Sequence, residues 1–150
     1  MVHIQGSVVI RRPIEDVFAV VADPTLEPRY NAIMASSEKV TPGPVRVGTR
    51  FRDVTRGFGG GEMTVEVTEI EPPNSFRTRT ASALMTTEGG LSLRQVEGGT
   101  ELSWSWQVRP LGWLRATTPL LALFGRRLER RTWTGLKRYL EQAPAPAPAE

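Results

Sequence analysis

The stretch IRRPIEDVFAVVADP, residues 10–24, completes one predicted element and contains the whole of the next. Apolar and polar residues alternate through Val2–Ile10, which is the two-residue period of a half-buried strand. Pro13 suits the first turn of a helix, and the two acidic residues that follow lie where the helix dipole favours negative charge. Asp23-Pro24 ends this helix, because proline disfavours a helical residue before it. A second short helical or turn segment is predicted over Thr25–Asn31.

Six further strands are predicted downstream, separated by turns rich in glycine, proline and asparagine. In several of them apolar residues alternate with polar ones, so one face of the sheet is apolar and the other meets water. Short strands joined by such turns are typical of an antiparallel meander. The predicted strands are Ala35–Val40, Gly48–Thr55, Gly61–Ile70, Ser75–Ser82, Thr87–Val96 and Thr100–Arg109.

The last third of the chain changes to a helical period, from about Leu111 to Glu141. Pro119 either kinks this helix or marks its true start. The helix is the only predicted element long enough to cover the apolar face of the sheet. Residues 1–142 therefore form one predicted domain, and the Ala/Pro-rich residues 143–150 form a predicted disordered tail. The expected inner stripe of the helix is Leu114, Leu121, Phe124, Leu128, Thr132, Gly135 and Tyr139.

Charge is distributed unevenly along the chain. The formal net charge is +3, from 19 basic and 16 acidic residues. Between Arg109 and Arg138 there are eight basic residues and one acid, Glu129, so this segment carries +7 and the remainder −4. Such a basic helix is either a solvated outer face or a contact with anionic membrane. Nucleic acid is not predicted as a partner, because no recognition module is evident.

The residue inventory excludes several kinds of site. The chain has no cysteine and a single histidine, His3, which excludes disulfide scaffolds, zinc–thiolate centres and multi-histidine metal sites. The glycine run Gly57–Gly61 lacks the last glycine that a dinucleotide-binding loop requires. It also lacks the Gly-Lys-Ser/Thr that a phosphate-binding loop requires, so it is predicted to be a hairpin loop. No metal and no cofactor are predicted. The first residues do not form a signal peptide, and no apolar run could span a membrane, so a cytoplasmic protein is expected.

Several segments, in order along residues 2–142, resemble the START-like, or SRPBCC, superfamily and its polyketide cyclase/dehydrase-like branch. Residues 10–24 are similar to the strand and proline-initiated helix that open this family. The other similar segments are Tyr30-Asn31, where members usually carry Trp-Asn, Val47–Phe51, Glu69–Pro73, Gly98–Leu102 and Leu136–Glu141.

The resemblance implies an α+β helix-grip fold. In this fold a seven-stranded antiparallel sheet wraps around a long C-terminal helix, with two short helices after strand 1 and a deep hydrophobic cavity. Members bind lipids, sterols, polyketides, quinones or plant hormones, and some are aromatase/cyclases. The leading hypothesis is therefore binding or carriage of a small hydrophobic ligand (lipid, polyketide or quinone-like) without catalysis. The alternative is a polyketide aromatase/cyclase or dehydrase-type enzyme, and the choice stays open.

The candidate site residues follow from the apolar face of the strands and the helix stripe, because ligand pockets are mostly apolar and aromatic. Asp53 shares strand parity with Phe51 and is the one candidate for catalysis, with a solvated strand end as the alternative. The protein is expected to be a monomer or a dimer. The predicted ligand-binding residues are Phe51, Met63, Val65, Phe76, Leu91, Leu93, Trp104, Trp106, Leu121, Phe124 and Leu128.

Overall fold

The computed structural model describes residues 1–57 and 61–142, so part of the predicted glycine loop and the whole predicted tail lie outside the described residues. One antiparallel sheet contains seven strands in the order β1-β7-β6-β5-β4-β3-β2. The strands are β1 Val2–Ile10, β2 Met34–Lys39, β3 Arg50–Thr55, β4 Glu62–Glu71, β5 Ser75–Ala81, β6 Met85–Val96 and β7 Gly99–Pro110. The helices are α1 Ile14–Val21, α2 Thr118–Gln142 and two 3-10 helices, Pro24–Arg29 and Gly112–Thr117.

This architecture confirms the predicted helix-grip fold. The first strand pairs with the last, with Val2 opposite Val108 and Ile10 opposite Thr100. The other strands form the predicted meander, in which each pairs with its neighbour in sequence. One apolar cluster joins strands β3 to β7 to helices α1 and α2, so the core lies between the apolar face of the sheet and α2.

Two glycines allow α2 to approach its neighbours closely. A Cβ added at Gly125 would lie 2.5 Å from Cδ1 of Ile4 on β1. A Cβ added at Gly135 would lie 2.4 Å from the backbone oxygen of Tyr30. Real Cβ atoms do not come so close to other heavy atoms, and at Gly135 the neighbour is backbone, so this position in particular restricts which face of α2 lies on the rest of the protein.

The face that α2 presents to the core differs from the predicted stripe. The residues of α2 that are fully buried are Thr132, Trp133, Leu136 and Leu140. Phe124, predicted on the inner stripe, is 65% exposed. The reason is that Gly125 lies against β1, and adjacent residues of an α-helix point about 100° apart. The prediction was therefore wrong for Phe124.

The start of the C-terminal helix is also resolved. Residues 112–117 form a separate 3-10 helix, and α2 begins at Thr118, so Pro119 lies in the first turn and marks the true start. No helix in the described part of the chain is both long and apolar enough to cross a membrane.

Candidate functional site

An apolar wall on strands β3 to β7 faces α2. The ring of Trp104 lies over Gly6 of β1, where an added Cβ would stand 2.4 Å from the ring, so the glycine makes room for the indole. Trp104 stacks on Trp133 of α2 with 6.1 Å between ring centroids. The predicted ligand-binding residues that lie buried in this wall are Phe51, Val65, Phe76, Leu91, Leu93 and Trp104.

The remaining predicted ligand-binding residues lie at the margins of the wall or outside it. Met63, Trp106 and Leu128 keep part of their surface accessible. Leu121 packs against a smaller apolar cluster formed by β1 and β7. Phe124 points away from the interior, as described above. The structure therefore brings most of the predicted set to one interior face.

Glu129, the one acid of the basic segment, is turned into the protein. Its Oε2 accepts hydrogen bonds from Nε1 of Trp106 at 2.9 Å and from Nε1 of Trp133 at 2.7 Å. Burial raises the pKa of this carboxyl, while the two indole hydrogen bonds act in the opposite direction. The acid thus connects α2 to β7, and the exposed charged side chains of α2 before Glu141 are all basic.

Glu27, in the first 3-10 helix, is a second interior acid. Its Oε1 accepts a hydrogen bond from Nδ2 of Asn31 at 2.8 Å. Burial is the main reason that the pKa of Glu27 is raised from 4.5 to about 7, and the charges of Asp53 and Glu129 add to the increase. A carboxyl group with this pKa exchanges a proton readily near neutral pH.

Asp53 on β3 is the third interior acid and the one that the sequence analysis proposed. Its residue is only 2% exposed, and burial raises its pKa. Ser37 lies opposite it on β2, and this hydroxyl counteracts the rise. Even so, neither Oδ1 of Asp53 nor the hydroxyl of Ser37 completes a hydrogen bond of good geometry with a described residue. Asp53 thus keeps a buried acceptor oxygen beside the Ser37 hydroxyl.

Tyr30 adds a hydroxyl group and an aromatic ring to this interior. Its ring centroid is 6.3 Å from that of Trp133 and 6.2 Å from that of Tyr139. Burial, followed by the charge of Glu27, raises the pKa of the Tyr30 hydroxyl well above its ordinary value. The hydroxyl therefore stays protonated and is available as a hydrogen-bond donor at any physiological pH.

Most of these polar groups are only partly enclosed by the rest of the protein. For Glu27, Tyr30 and Glu129 burial is the main cause of the raised pKa, yet each keeps some accessible surface. A groove of about 360 Å³ opens between α2 and residues 30–33, and its lining includes Tyr30 and Asn31. Arg131 of α2 also lines this groove. Tyr30 and Asn31 thus contact both the groove and the interior acids.

A second groove, of about 510 Å³, lies on the polar face of the sheet. It is lined by side chains such as Gln5, Ser7 and Ser103, which alternate with the buried residues of β1 and β7. Near it, Nε2 of His3 is 2.8 Å from the hydroxyl oxygen of Ser105. No carboxylate among the described residues bonds to His3, so the pair lacks the third member of a catalytic triad.

The described residues 1–57 and 61–142 contain no group of three or more histidine or acidic side chains placed to hold a metal ion. The charges of Asp53 and Glu129 both act to raise the pKa of Glu27. The three interior acids can accept hydrogen bonds from a molecule in the interior or exchange protons with it.

Three of these site residues were not predicted from the sequence: Glu27, Glu129 and Trp133. Glu129 was counted only as the single acid of a basic segment. A signal was present, because Gly125, Glu129 and Trp133 recur every four residues and so share one helix face. Glu27 carried no comparable signal, because a 3-10 helix with two prolines has no periodicity to interpret.

Comparisons with known proteins agree with this architecture. Residues 1–141 match the model of a family described as polyketide cyclase/dehydrase and lipid transport. No curated protein sequence matches the chain.

Among solved structures, a conserved protein from Geobacillus kaustophilus is 16% identical with a TM-score of 0.79, over 94% of this chain and 96% of that one. Ara h 8.0201 is 15% identical with a TM-score of 0.73, over 94% of this chain and 98% of that one. DynU16, a protein in the dynemicin biosynthetic locus, is 20% identical with a TM-score of 0.67, over 93% of this chain but only 47% of its own length. At these identities the likeness shows the fold.

Proposed function

Because the chain belongs to the polyketide cyclase/dehydrase and lipid transport family, we propose that it binds a small hydrophobic molecule that carries a hydrogen-bond donor, without transforming it. The apolar body of the molecule lies against the wall formed by β3 to β7. Its donor group points to the interior carboxyl groups. In this proposal the apolar body contacts the predicted residues that lie buried in the wall, the set from Phe51 to Trp104 named above.

One observation carries the proposal: Asp53 is almost fully buried, and its Oδ1 has no good hydrogen bond from a described residue. A buried acceptor without a partner costs about 1–3 kcal/mol, more if it is charged. A ligand donor at this position would recover that free energy. The aromatic rings of Trp104, Trp133 and Tyr30 supply flat apolar surfaces in the same interior, and apolar surface with a few polar groups is typical of small-molecule sites.

The test compares two probes of nearly the same shape, 2-naphthol and 2-methoxynaphthalene, by isothermal titration calorimetry. The ether lacks the hydroxyl donor, so we expect the naphthol to bind about tenfold more tightly, which is the order of one hydrogen bond to a buried acceptor. Asp53→Asn and Glu27→Gln are then titrated separately. At least one of them should remove most of the preference while leaving binding of the ether unchanged.

A matched control is Glu97→Gln, because Glu97 is an exposed acid in the turn between β6 and β7. This variant should retain the full preference for the naphthol. The proposal fails if the folded protein binds neither probe, or if both interior variants keep the tenfold preference.

A second candidate function is enzymatic, and the pKa of about 7 at Glu27 favours it. A base with this pKa suits removal of a proton from a methylene between two carbonyl groups. The C–H bond breaks, Glu27 takes the proton, and the electron pair moves to a carbonyl oxygen, to which Tyr30 donates a hydrogen bond. The enolate carbon then attacks a second carbonyl, and the alkoxide that forms takes the proton back from Glu27.

Turnover of a synthetic poly-β-ketone thioester tests this candidate. The rate should rise with pH to a plateau with an apparent pKa near 7, and Glu27→Gln should abolish it. Asp53→Ala tests the residue that the sequence analysis nominated. Unchanged Asp53→Ala turnover would remove Asp53 from the mechanism, and absence of any turnover by a protein that binds naphthol would leave the binding function alone.

A further inference from the structure

Four large apolar side chains are exposed where the second 3-10 helix meets α2. Trp113 is 62% exposed, Leu120 71%, Leu123 68% and Phe124 65%. Leu120, Leu123 and Phe124 are spaced by three and four residues, so they lie on one face of α2. Single exposed apolar residues are ordinary, but four so close in the chain, three of them on one face of α2, are typical of an interaction surface. We call these four residues the apolar stripe.

The apolar stripe is surrounded by positive charge. Arg115, Arg126, Arg127 and Arg130 are exposed, and none forms an ion pair with a residue in the described ranges. The only acid of this segment, Glu129, is turned inward onto two indoles. The outer surface of residues 112–131 therefore presents apolar side chains and cations without a compensating acid.

We propose that the apolar stripe docks on an anionic lipid bilayer, with the first half of α2 lying along the membrane surface. Leucine and phenylalanine side chains would enter the boundary between headgroups and acyl chains, and the amphipathic ring of Trp113 suits the headgroup level. The flanking arginines would contact lipid phosphates. The inference concerns the outer surface and goes beyond the binding function proposed for the interior.

Charge favours a bilayer over a second copy of the chain as the occupant. A two-fold contact through the apolar stripe would place identical surfaces face to face. The arginine clusters of both copies would then meet, with no acid on the outer face of residues 112–131 to pair with them. An anionic membrane provides both parts that this surface needs, apolar volume and negative charge.

The test is co-flotation of the full chain with vesicles of pure phosphatidylcholine and with vesicles in which about one-third of the lipid is phosphatidylglycerol. We expect strong binding to the anionic vesicles, weak binding to the neutral ones and a marked loss in high salt. The double variant Leu123→Ser/Phe124→Ser should weaken binding about tenfold or more. Arg126→Glu/Arg130→Glu should weaken it by at least tenfold, since each arginine near the surface contributes roughly fivefold.

Matched controls make the same changes elsewhere on the surface. Val40→Ser/Val47→Ser removes two exposed apolar side chains, and Arg46→Glu/Arg50→Glu reverses two exposed charges. Both should bind as the unaltered chain does. All altered side chains are exposed, so circular dichroism should show each variant folded.

Three results would overturn the proposal. The first is equal binding to neutral and anionic vesicles, and the second is equal loss in the control variants. The third is light scattering that shows a dimer which Leu123→Ser/Phe124→Ser converts to a monomer, because the stripe would then be an interface between copies. Failure of vesicle binding would leave the naphthol experiment unaffected.

Discussion

The two halves of the C-terminal segment use apolar residues in opposite ways. From Gly125 to Gln142, α2 buries Trp133, Leu136 and Leu140 against the sheet and turns its arginines outward. From Gly112 to Phe124, the segment exposes four large apolar side chains. Both halves have helical apolar spacing, so spacing alone does not say what covers a face. The comparison shows that one element closes the interior and also presents a surface to the outside.

The largest expected difference between the two halves is in the free energy of unfolding when a leucine is shortened to alanine. Leu136 is fully buried, so Leu136→Ala should lower the free energy of unfolding by about 3 kcal/mol or more. Leu123→Ala should change it by less than about 0.5 kcal/mol, because Leu123 is exposed. Urea denaturation measures both values. Equal losses in the two variants would mean that the apolar stripe is part of the core.

Stability should also depend on pH through Glu27, whose charge interacts with that of Glu129 in the buried half of the C-terminal segment. The folded protein holds the Glu27 proton up to about pH 7, whereas the unfolded chain releases it near 4.5. Stability should therefore fall as pH rises between these values, by at most about 3 kcal/mol. Glu27→Gln should remove this part of the decline and leave the variant more stable than the unaltered chain at pH 8.

Denaturation curves at pH 4 and pH 8 check this expectation, with Glu97→Gln as the exposed control. A decline of the same size in Glu27→Gln and in the control would show that another group causes it.

A smaller effect is expected where α2 meets the segment that carries Tyr30. Gly135→Ala would place a Cβ 2.4 Å from the backbone oxygen of Tyr30, so the segment must move. We expect a loss of about 1–2 kcal/mol, although alanine favours a helix more than glycine does. Thr134→Ala, on the exposed neighbouring residue, should change stability by less than about 0.5 kcal/mol. Thermal unfolding compares the two, and a stabilised Gly135→Ala would show that the contact is not close.

The smallest effect concerns Glu141 at the exposed end of α2. Hydrogen bonds from Lys137 and from the backbone N–H of Arg11 lower its pKa, the opposite direction to Glu27. Ionised Glu141 stabilises the folded protein at pH values above the pKa that this carboxyl has in the unfolded chain. That stabilisation is lost as pH falls through the lower pKa of the folded protein. Glu141→Gln should reduce stability at pH 7 by less than about 1 kcal/mol and by less at acid pH.

The outline of the fold followed from the sequence because its signals are local. Alternation and turn residues predicted the seven strands, and the proline-initiated helix was predicted from Pro13 and Asp23-Pro24; in the structure it buries Ile14, Val17, Phe18 and Val21. The buried face of the long helix could not be predicted from the sequence, because the face through Phe124 and the face through Gly125 are displaced by only one residue. The choice between them depends on contacts between residues far apart in the chain, such as the close approaches of Gly125 to Ile4 and of Gly135 to Tyr30.

The candidate site was predicted in part for the same reason. Strand parity placed Asp53 and Phe51 on the inner face, since parity is a local property. The hydrogen bonds of Glu129 join residues on α2 and β7, and only the assembled fold brings these together. Acidic residues are exposed in most proteins, so nothing in the sequence indicated that these particular acids are buried.

The most direct test of the central claim, that the interior binds a molecule through its carboxyl groups, is NMR of the side-chain carboxyl carbons during a 2-naphthol titration. We predict that the Asp53 or Glu27 signal shifts in a saturable way, with the dissociation constant that calorimetry gives, while the Glu97 signal stays in place. Saturable naphthol binding that leaves the signals of Asp53, Glu27 and Glu129 all unmoved would contradict the account.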